Sequence, residues 1–226
     1  MMRAPEQLKP KKILIVDDHP VFRKGMMALL ADREDFMVCG EAEDAPAALD
    51  AMRRLRPDVA LVDISMPGTN GIELSKMMLA EQPKLAIVIL SMHDESLYAL
   101  RALRAGAKGY VMKAEAINQV VEALKKVLGN GIYVSTKFSE RLVFRAIQSQ
   151  NLDIATPVDT LSDRELEVLQ MMGKGGSTRD IAAKLHLSIK TIETHRAHIK
   201  EKLGFKDGSE LVRFAFEWLS QQQVYQ

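Results

Sequence analysis

The chain has 226 residues, and its 31 basic and 30 acidic side chains give a formal net charge of +1. This length accommodates one large domain or two modest ones, and 47% hydrophobic with 27% charged residues is typical of a globular protein. A net charge near zero excludes recognition of nucleic acid through bulk charge, so a DNA-binding surface has to be a local basic patch.

Targeting and redox signals are sparse. Cys39 is the single cysteine, so the chain cannot form an internal disulfide, which fits a reducing compartment. No run of about 18 apolar residues is present, and the first apolar stretch is too short for the core of a signal peptide. We therefore expect a cytoplasmic protein without a membrane partner.

Five apolar runs alternate with longer amphipathic segments in the first part of the chain. Continuous apolar runs, rather than alternating ones, are typical of strands buried on both faces of a sheet. Five βα repeats predict an α/β domain over residues 11–132, with a five-stranded parallel sheet that is doubly wound by helices. The predicted strands are Ile13–Val16, Met37–Cys39, Val59–Val62, Ala86–Leu90 and Gly109–Met112.

Residues 133–160 are predicted to be a linker whose first part, Lys137–Ile147, is helical. The remainder from Ser149 to Thr160 is polar and lacks periodicity. Residues 161–226 are predicted to be a small all-α domain, because no strand pattern appears there. Its predicted helices are Leu161–Gly173, Thr178–Leu185, Ser188–Leu203 and Ser209–Leu219.

Charged and polar residues stand at the carboxyl ends of the predicted strands. The first strand ends in Asp17 and Asp18, the third in Asp63, the fourth in Ser91, and the fifth leads to Lys113. Ligands of open parallel sheets bind beyond these ends, so the five side chains are expected to converge. Three carboxylates need a counter-charge, and Mg²⁺ prefers oxygen ligands. A metal beside a carboxylate also suits phosphoryl transfer.

The alternative interpretation is that each aspartate merely caps a helix or a turn. It fits a single residue better than it fits five charged or polar residues at the ends of four strands. Ser65 and His93 follow pocket residues by two positions and could tune the lifetime of a phosphate. For His93, a solvent-exposed loop histidine without a role is an equal alternative.

These motifs resemble the receiver domain of bacterial response regulators, over about Lys12 to Gly131. The resemblance implies a flavodoxin-like fold and phosphorylation by a cognate sensor histidine kinase. It also implies that the domain promotes only its own phosphoryl transfer and dephosphorylation, so the protein is not an enzyme in the usual sense. The matching segments are Ile15–His19, Leu61–Gly68, Ser91 and Tyr110–Lys113.

The resemblance also implies a role for each pocket residue. Asp63 would be the phospho-acceptor, and Lys113 would bridge to the phosphate. Ser91 and Tyr110 would form the switch pair that moves inward on phosphorylation. Ala114 stands where receivers often have a proline in a cis bond to the lysine. The Mg²⁺ ligands would be Asp17, Asp18, Asp63 and the main-chain carbonyl of Ser65.

The C-terminal helices have the order of a helix-turn-helix. Ser162 and Glu165 are spaced as a capping box, and the turn is expected at His186–Leu187. The following helix carries an excess of basic residues, and the N-terminal half of such a helix usually enters the major groove. A solvated, mildly basic helix is the alternative. The candidate DNA contacts are Thr178, Arg179, Lys190, Thr191, Glu193, Thr194, His195, Arg196, His198 and Lys200.

The segments Leu161–Leu169, Ser188–Ile199 and Lys202–Gly204 resemble the LuxR-type helix-turn-helix. A receiver followed by this domain is the layout of the NarL/FixJ family. The resemblance implies a transcriptional regulator in which phosphorylation of Asp63 favours homodimers and binding to double-stranded promoter DNA, with RNA polymerase as a further candidate partner. The last helix is an equal candidate for a dimer face and for packing of the domain core.

Two other classes of function fit parts of the sequence. A Mg²⁺ carboxylate pocket could serve a phosphatase, but the second domain offers no substrate pocket or acid–base groups. An adaptor would use both domains to bind proteins. Salt-sensitive binding to DNA distinguishes the regulator from both alternatives.

Overall fold

The computed structural model describes residues 9–148 and 157–224. The chain folds as two compact units that divide between Phe144 and Arg145. Among the described residues, no helix has the length and apolar character needed to cross a membrane.

The first unit is built on the expected five-stranded sheet. All neighbouring strands are parallel, in the order β2-β1-β3-β4-β5. The order reverses beside β1, so the carboxyl ends of β1 and β3 lie next to each other, with Val16 opposite Val62. The strands are β1 (Lys11–Val16), β2 (Phe36–Ala42), β3 (Val59–Asp63), β4 (Ala86–Ser91) and β5 (Gly109–Met112).

Helices cover both faces of this sheet. Neighbouring residues of the central strands are therefore buried alike, although their side chains point to opposite faces. Ile13 and Leu14 of β1, for example, are both fully buried. Side chains of Asp44, Asn70 and Asp94 accept backbone hydrogen bonds and begin three of the helices. The helices on the sheet are α1 (Pro20–Ala31), α2 (Ala45–Leu55), α3 (Gly71–Glu81), α4 (Glu95–Arg104) and α5 (Ala116–Leu128). The next helix, α6 (Thr136–Gln148), runs across the division between the two units.

The first unit extends beyond residue 132, where the sequence analysis ended the α/β domain. Tyr133 forms a parallel bridge with Gly109 of β5, and Tyr133 and Phe138 are both buried. The segment between α5 and α6 therefore packs with the sheet. Of the expected linker, residues 149–156 lie outside the described residues, and Pro157–Thr160 form a 3-10 turn.

The described regular elements of the second unit are all helices. A close approach of α7 to α10 fixes its core, since a β-carbon on Gly173 would lie 2.5 Å from the main-chain oxygen of Ala215. Leu211, Ala215 and Trp218 of α10 are buried in this core. The last helix thus packs the core of the domain, which is one of the two roles expected for it. The helices are α7 (Asp163–Gly173), α8 (Thr178–Lys184), α9 (Ile189–Lys202) and α10 (Gly208–Val224).

Candidate metal centre and nucleic-acid interface

A cluster of acidic groups lies where the carboxyl ends of β1 and β3 meet. Ligand atoms of Asp17, Asp18, His19 and Asp63 all lie within 4.8 Å of one another. The three predicted carboxylates are thus brought together. His19 was not among the predicted site residues, and its Nδ1 lies 2.6 Å from Asp18 Oδ1. Its position directly after the two aspartates was the available signal.

Lys113 places a positive charge against two of these carboxylates. Its Nζ lies 2.7 Å from Asp17 Oδ2 and 2.7 Å from Asp63 Oδ2. The ring of Phe22 lies on another side of the ammonium, 4.7 Å from Nζ to the ring centroid, within the range of a cation–π contact. The bond from Lys113 to Ala114 is trans, since the described residues contain no cis peptide bond.

Burial dominates the electrostatics of Asp63, which is 2% exposed. Burial raises the pKa of Asp63 to about 6, although the charge of Lys113 opposes the shift; the charge of Asp17 adds to it. One lysine therefore does not compensate the buried carboxylates, and a further cation would lower the free energy of their ionised form.

The donor set fits a divalent metal ion. Asp17 Oδ2, Asp18 Oδ1 and Asp63 Oδ2 are buried, and the charged groups beside them are Lys113 Nζ and His19 Nδ1. Carboxylate oxygens are the ligands that hard cations prefer. This acidic cluster can hold a metal.

Gly71 is a site residue that the sequence analysis missed. It begins α3 directly against the end of β3, and a β-carbon there would lie 1.8 Å from the main-chain oxygen of Asp63. Asn70 caps the same helix by accepting a hydrogen bond from the Ile72 N–H. The Asn-Gly pair before an apolar run was the signal for this close approach.

The predicted switch residues, Ser91 and Tyr110, both form a hydrogen bond with the main chain of His93. Tyr110 is 1% exposed, and its hydroxyl donates to the main-chain oxygen of His93 at 2.9 Å. Burial raises the pKa of Tyr110 far above its ordinary value, so the phenol keeps its proton. Ser91 Oγ accepts the N–H of His93 at 2.9 Å.

The His93 side chain connects two loops and a helix. Its Nε2 lies 2.7 Å from the hydroxyl of Ser65 in a hydrogen bond, and its ring centroid is 4.6 Å from that of Tyr98 in α4. His93 is half-buried and is therefore not the solvent-exposed loop histidine of the alternative interpretation. The expected metal ligand at Ser65 is its main-chain carbonyl, which stays a prediction.

The second unit contains the expected helix-turn-helix. Ser162 and Ser177 both form capping boxes, which start α7 and α8. His186 has a φ of 52° in the turn between α8 and α9, a conformation that non-glycine residues rarely adopt. Ile192 and Ile199 are fully buried on the inner side of α9. Helix α9 therefore packs across its neighbours through one apolar stripe.

Two family models cover most of the chain. Residues 13–125 match the response regulator receiver domain, and residues 159–215 match the luxR family of bacterial regulatory proteins. The chain belongs to the NarL/FixJ-type response regulators.

Full-length relatives agree with this assignment. This response regulator is 38% identical to the oxygen regulatory protein NreC of Staphylococcus aureus over 91% of the chain and 97% of NreC. It is 35% identical to the response regulator GacA of Pseudomonas aeruginosa over 90% of the chain and 94% of GacA. Both relatives are named as regulatory proteins.

Solved structures of RcsB from Salmonella typhimurium are similar to this response regulator. One has a TM-score of 0.65 and 29% identity, and the match covers 95% of this chain and 98% of RcsB. Another, RcsB bound to the rprA promoter in the presence of the phosphomimetic BeF3⁻, has a TM-score of 0.60 and 29% identity. That match covers 91% of this chain and 98% of RcsB.

The predicted DNA contacts of this response regulator divide into an outer and a packed group. Arg196 Nη1 donates to Thr178 Oγ1 at 2.6 Å and so joins α9 to α8. His195 is half-buried, and burial, with Arg164 nearby, lowers its pKa. Thr191 and Lys200 are also only partly exposed. The exposed candidates are Arg179, Lys190, Glu193, Thr194 and His198.

The outer surface of α9 begins with a lysine and a threonine. Thr194 Oγ1 donates to the main-chain oxygen of Lys190 at 3.0 Å, so both residues lie on successive turns of one exposed face. His198 Nδ1 lies 3.8 Å from Glu165 Oε1, which puts His198 on the flank beside α7. A hydroxyl and an ammonium on the exposed N-terminal half can reach phosphates and base edges.

Proposed function

We propose that Asp63 accepts a phosphoryl group from a sensor histidine kinase and that this controls dimerisation and binding to promoter DNA. The observation that carries the proposal is the buried acidic cluster, in which Lys113 Nζ lies 2.7 Å from Asp63 Oδ2. Mg²⁺ fits the oxygen donors of Asp17, Asp18 and Asp63, together with the main-chain carbonyl of Ser65. When bound, it supplies charge neutralisation for the phosphoryl oxygens.

The residues around Asp63 have separate roles in phosphoryl transfer. An Asp63 carboxylate oxygen attacks phosphorus as the bond to the donor imidazole breaks, and the departing nitrogen takes up a proton. Lys113 already contacts this carboxylate and pairs with a phosphoryl oxygen after the transfer. Ser91 donates a hydrogen bond from its hydroxyl to another phosphoryl oxygen. The same pocket admits the water that later removes the phosphate.

Three exposed apolar side chains follow pocket residues at short distance along the chain. Val21, Met92 and Ile117 are 85%, 74% and 70% exposed. We infer that a protein phosphodonor docks through them, since exposed apolar groups that form one patch mark protein interfaces. A kinase domain docked there would also exclude bulk water during the transfer.

We assign binding to promoter DNA to the outer face of α9. Lys190 and Thr194 are exposed there, and the similar RcsB has been solved on promoter DNA with a phosphomimetic. We infer that the phosphorylated protein dimerises and binds two half-sites of an operator, since paired helix-turn-helix units read symmetric sites.

DNA binding of the full chain to genomic fragments tests the whole proposal. Affinity should rise when a small-molecule phosphodonor and Mg²⁺ are added, fall with salt, and coincide with a dimer in sedimentation. Asp63→Asn should take up no phosphate and show no rise, whereas Asp50→Asn, which changes an exposed aspartate of α2, should behave like the wild type. Salt-insensitive binding, or none in either state, contradicts the proposal.

A further inference from the structure

One hydrogen bond ties the start of α6 to the start of α4. The main-chain N–H of Ser135 donates to Glu95 Oε1 at 2.8 Å. Ser135 Oγ in turn accepts the N–H of Phe138 at 3.0 Å, so Ser135 caps α6. The carboxylate of Glu95 therefore holds the residue at which the helix leading out of the receiver begins.

The segment before Ser135 is also held along β5. Tyr133 donates its N–H to the main-chain oxygen of Lys108 at 2.9 Å, and Tyr110 donates its N–H to the main-chain oxygen of Tyr133 at 2.9 Å. The Tyr133 side chain is buried. The start of α6 is thus fixed to two elements, and one of its β5 partners is the switch residue Tyr110.

Glu95 follows directly on the loop that carries the switch contacts. Within this loop, Ser91 Oγ accepts the His93 N–H, and the main-chain oxygen of His93 accepts the Tyr110 hydroxyl. Asp94 then caps α4 by accepting the Ser96 N–H at 2.7 Å. Glu95 is the next residue along the chain from this cap. A displacement of the Ser91–His93 segment therefore reaches the Glu95 carboxylate over very few bonds.

We propose that Glu95 couples the phosphorylation pocket to α6. A Ser91 side chain that turns towards a phosphoryl group on Asp63 leaves the position in which it accepts the His93 N–H. The loop and the first turn of α4 shift with it, and the bond between Glu95 and Ser135 loosens. The inference rests on the proposed function, because it requires occupancy of Asp63. Glu95 is a positioning residue, since it touches none of the reacting atoms.

Hydrogen exchange of the Ser135 amide, followed by NMR in the full chain with Mg²⁺, tests this coupling. Beryllium trifluoride serves as a stable mimic of the phosphoryl group. In the wild type, the mimic should speed exchange at Ser135 several-fold. In Glu95→Ala, exchange should already be roughly tenfold faster without the mimic, because a charge-assisted hydrogen bond is lost, and the mimic should add little.

Two further variants separate the hydrogen bond from other effects. Glu95→Gln keeps an acceptor oxygen but loses the charge near the N-terminus of α4, so its Ser135 exchange should stay closer to the wild type than that of Glu95→Ala. Glu140→Ala removes an exposed carboxylate from α6 itself and should leave Ser135 unchanged. Equal acceleration in Glu95→Gln and Glu95→Ala would overturn the hydrogen-bond assignment.

Amide resonances of Ser91 and Tyr110 report on the pocket independently of Ser135. Failure of the coupling can therefore be distinguished from failure of the proposed function. If the mimic shifts the Ser91 and Tyr110 amide resonances while Ser135 exchange stays constant, the coupling is wrong and the proposed function stands. If no pocket resonance shifts, the proposed function fails and the coupling fails with it. With a small-molecule phosphodonor, Glu95→Ala should reach the wild-type extent of phosphorylation and lose most of the phosphorylation-dependent gain in DNA affinity.

Discussion

Gly71 lies so close to the end of β3 that a β-carbon on it would meet the main-chain oxygen of Asp63 at 1.8 Å. Gly71→Ala must therefore displace the start of α3 or the end of β3. We expect a loss of about 1–3 kcal/mol in the free energy of unfolding, as for other overpacked sites. Phosphate uptake at Asp63 should fall as well. Chemical denaturation followed by circular dichroism and phospho-labelling measure the two effects.

Gly25→Ala is the matched control for this substitution. Gly25 lies within α1, and a β-carbon there meets nothing within 4 Å. Since alanine is favoured over glycine inside a helix by roughly 0.5–1 kcal/mol, Gly25→Ala should stabilise the receiver and leave phosphorylation unchanged. Equal losses in the two variants would contradict the close-contact explanation.

Magnesium should stabilise the receiver through the acidic cluster. A ligand at about 100 times its Kd raises the free energy of unfolding by about 2.7 kcal/mol when it binds only the folded state. Asp17→Asn and Asp18→Asn should reduce this gain, because each removes a carboxylate donor. Thermal unfolding with and without Mg²⁺ gives the comparison, and Asp50→Asn should retain the full gain. Identical Mg²⁺ responses in all four proteins would exclude this site.

Tyr110→Phe should separate the position of the ring from its hydrogen bond. The variant keeps the buried ring but leaves the main-chain oxygen of His93 without the donor now 2.9 Å away. We expect a loss of about 1 kcal/mol in the free energy of unfolding, the usual net value of one buried hydrogen bond. Tyr133→Phe, at a position outside the switch, is the comparison in the same denaturation experiment. A larger loss in Tyr133→Phe would argue against the assignment.

The sheet and the pocket were predictable from local patterns. Apolar runs such as Ala86–Leu90 report burial on both faces, and a parallel sheet collects its strand ends at one edge, so Asp17 and Asp63 had to meet. The contacts of His93 were not predictable in this way. They depend on how two loops approach each other, and no periodicity encodes that distance.

In α9 as well, the sequence pattern predicts which residues are buried but not which side chains touch another helix. Its spacing predicts the buried stripe through Ile192 and Ile199, and both residues are fully buried. Arg196 falls beside this stripe, and its long side chain reaches Thr178 of α8. Charge and position in the sequence alone therefore grouped Arg196 with Lys190, although Lys190 is exposed and Arg196 is half-buried.

Lys190 and Arg196 should consequently respond differently to truncation. Lys190→Ala should weaken DNA binding, lower the slope of log affinity against log salt by about one, and leave stability unchanged. Arg196→Ala should destabilise the second unit, because it removes the hydrogen bond to Thr178. Trp218, the single tryptophan, reports unfolding of this unit by fluorescence. Lys84→Ala, at an exposed position in the receiver, should change neither quantity.

Glu165 should give the second unit a distinct acid sensitivity. Burial alone would raise the pKa of Glu165, but hydrogen bonds from Lys202 and Ser162 and the charge of Lys202 outweigh it, so the pKa is lowered from 4.5. A carboxyl whose pKa is lower in the folded state stabilises that state. This stabilisation is complete above the unfolded value of 4.5 and is lost as pH falls through the lower folded value. Glu165→Gln should therefore flatten the acid limb of stability measured by Trp218 fluorescence, whereas Glu217→Gln, at an exposed site on α10, should preserve it.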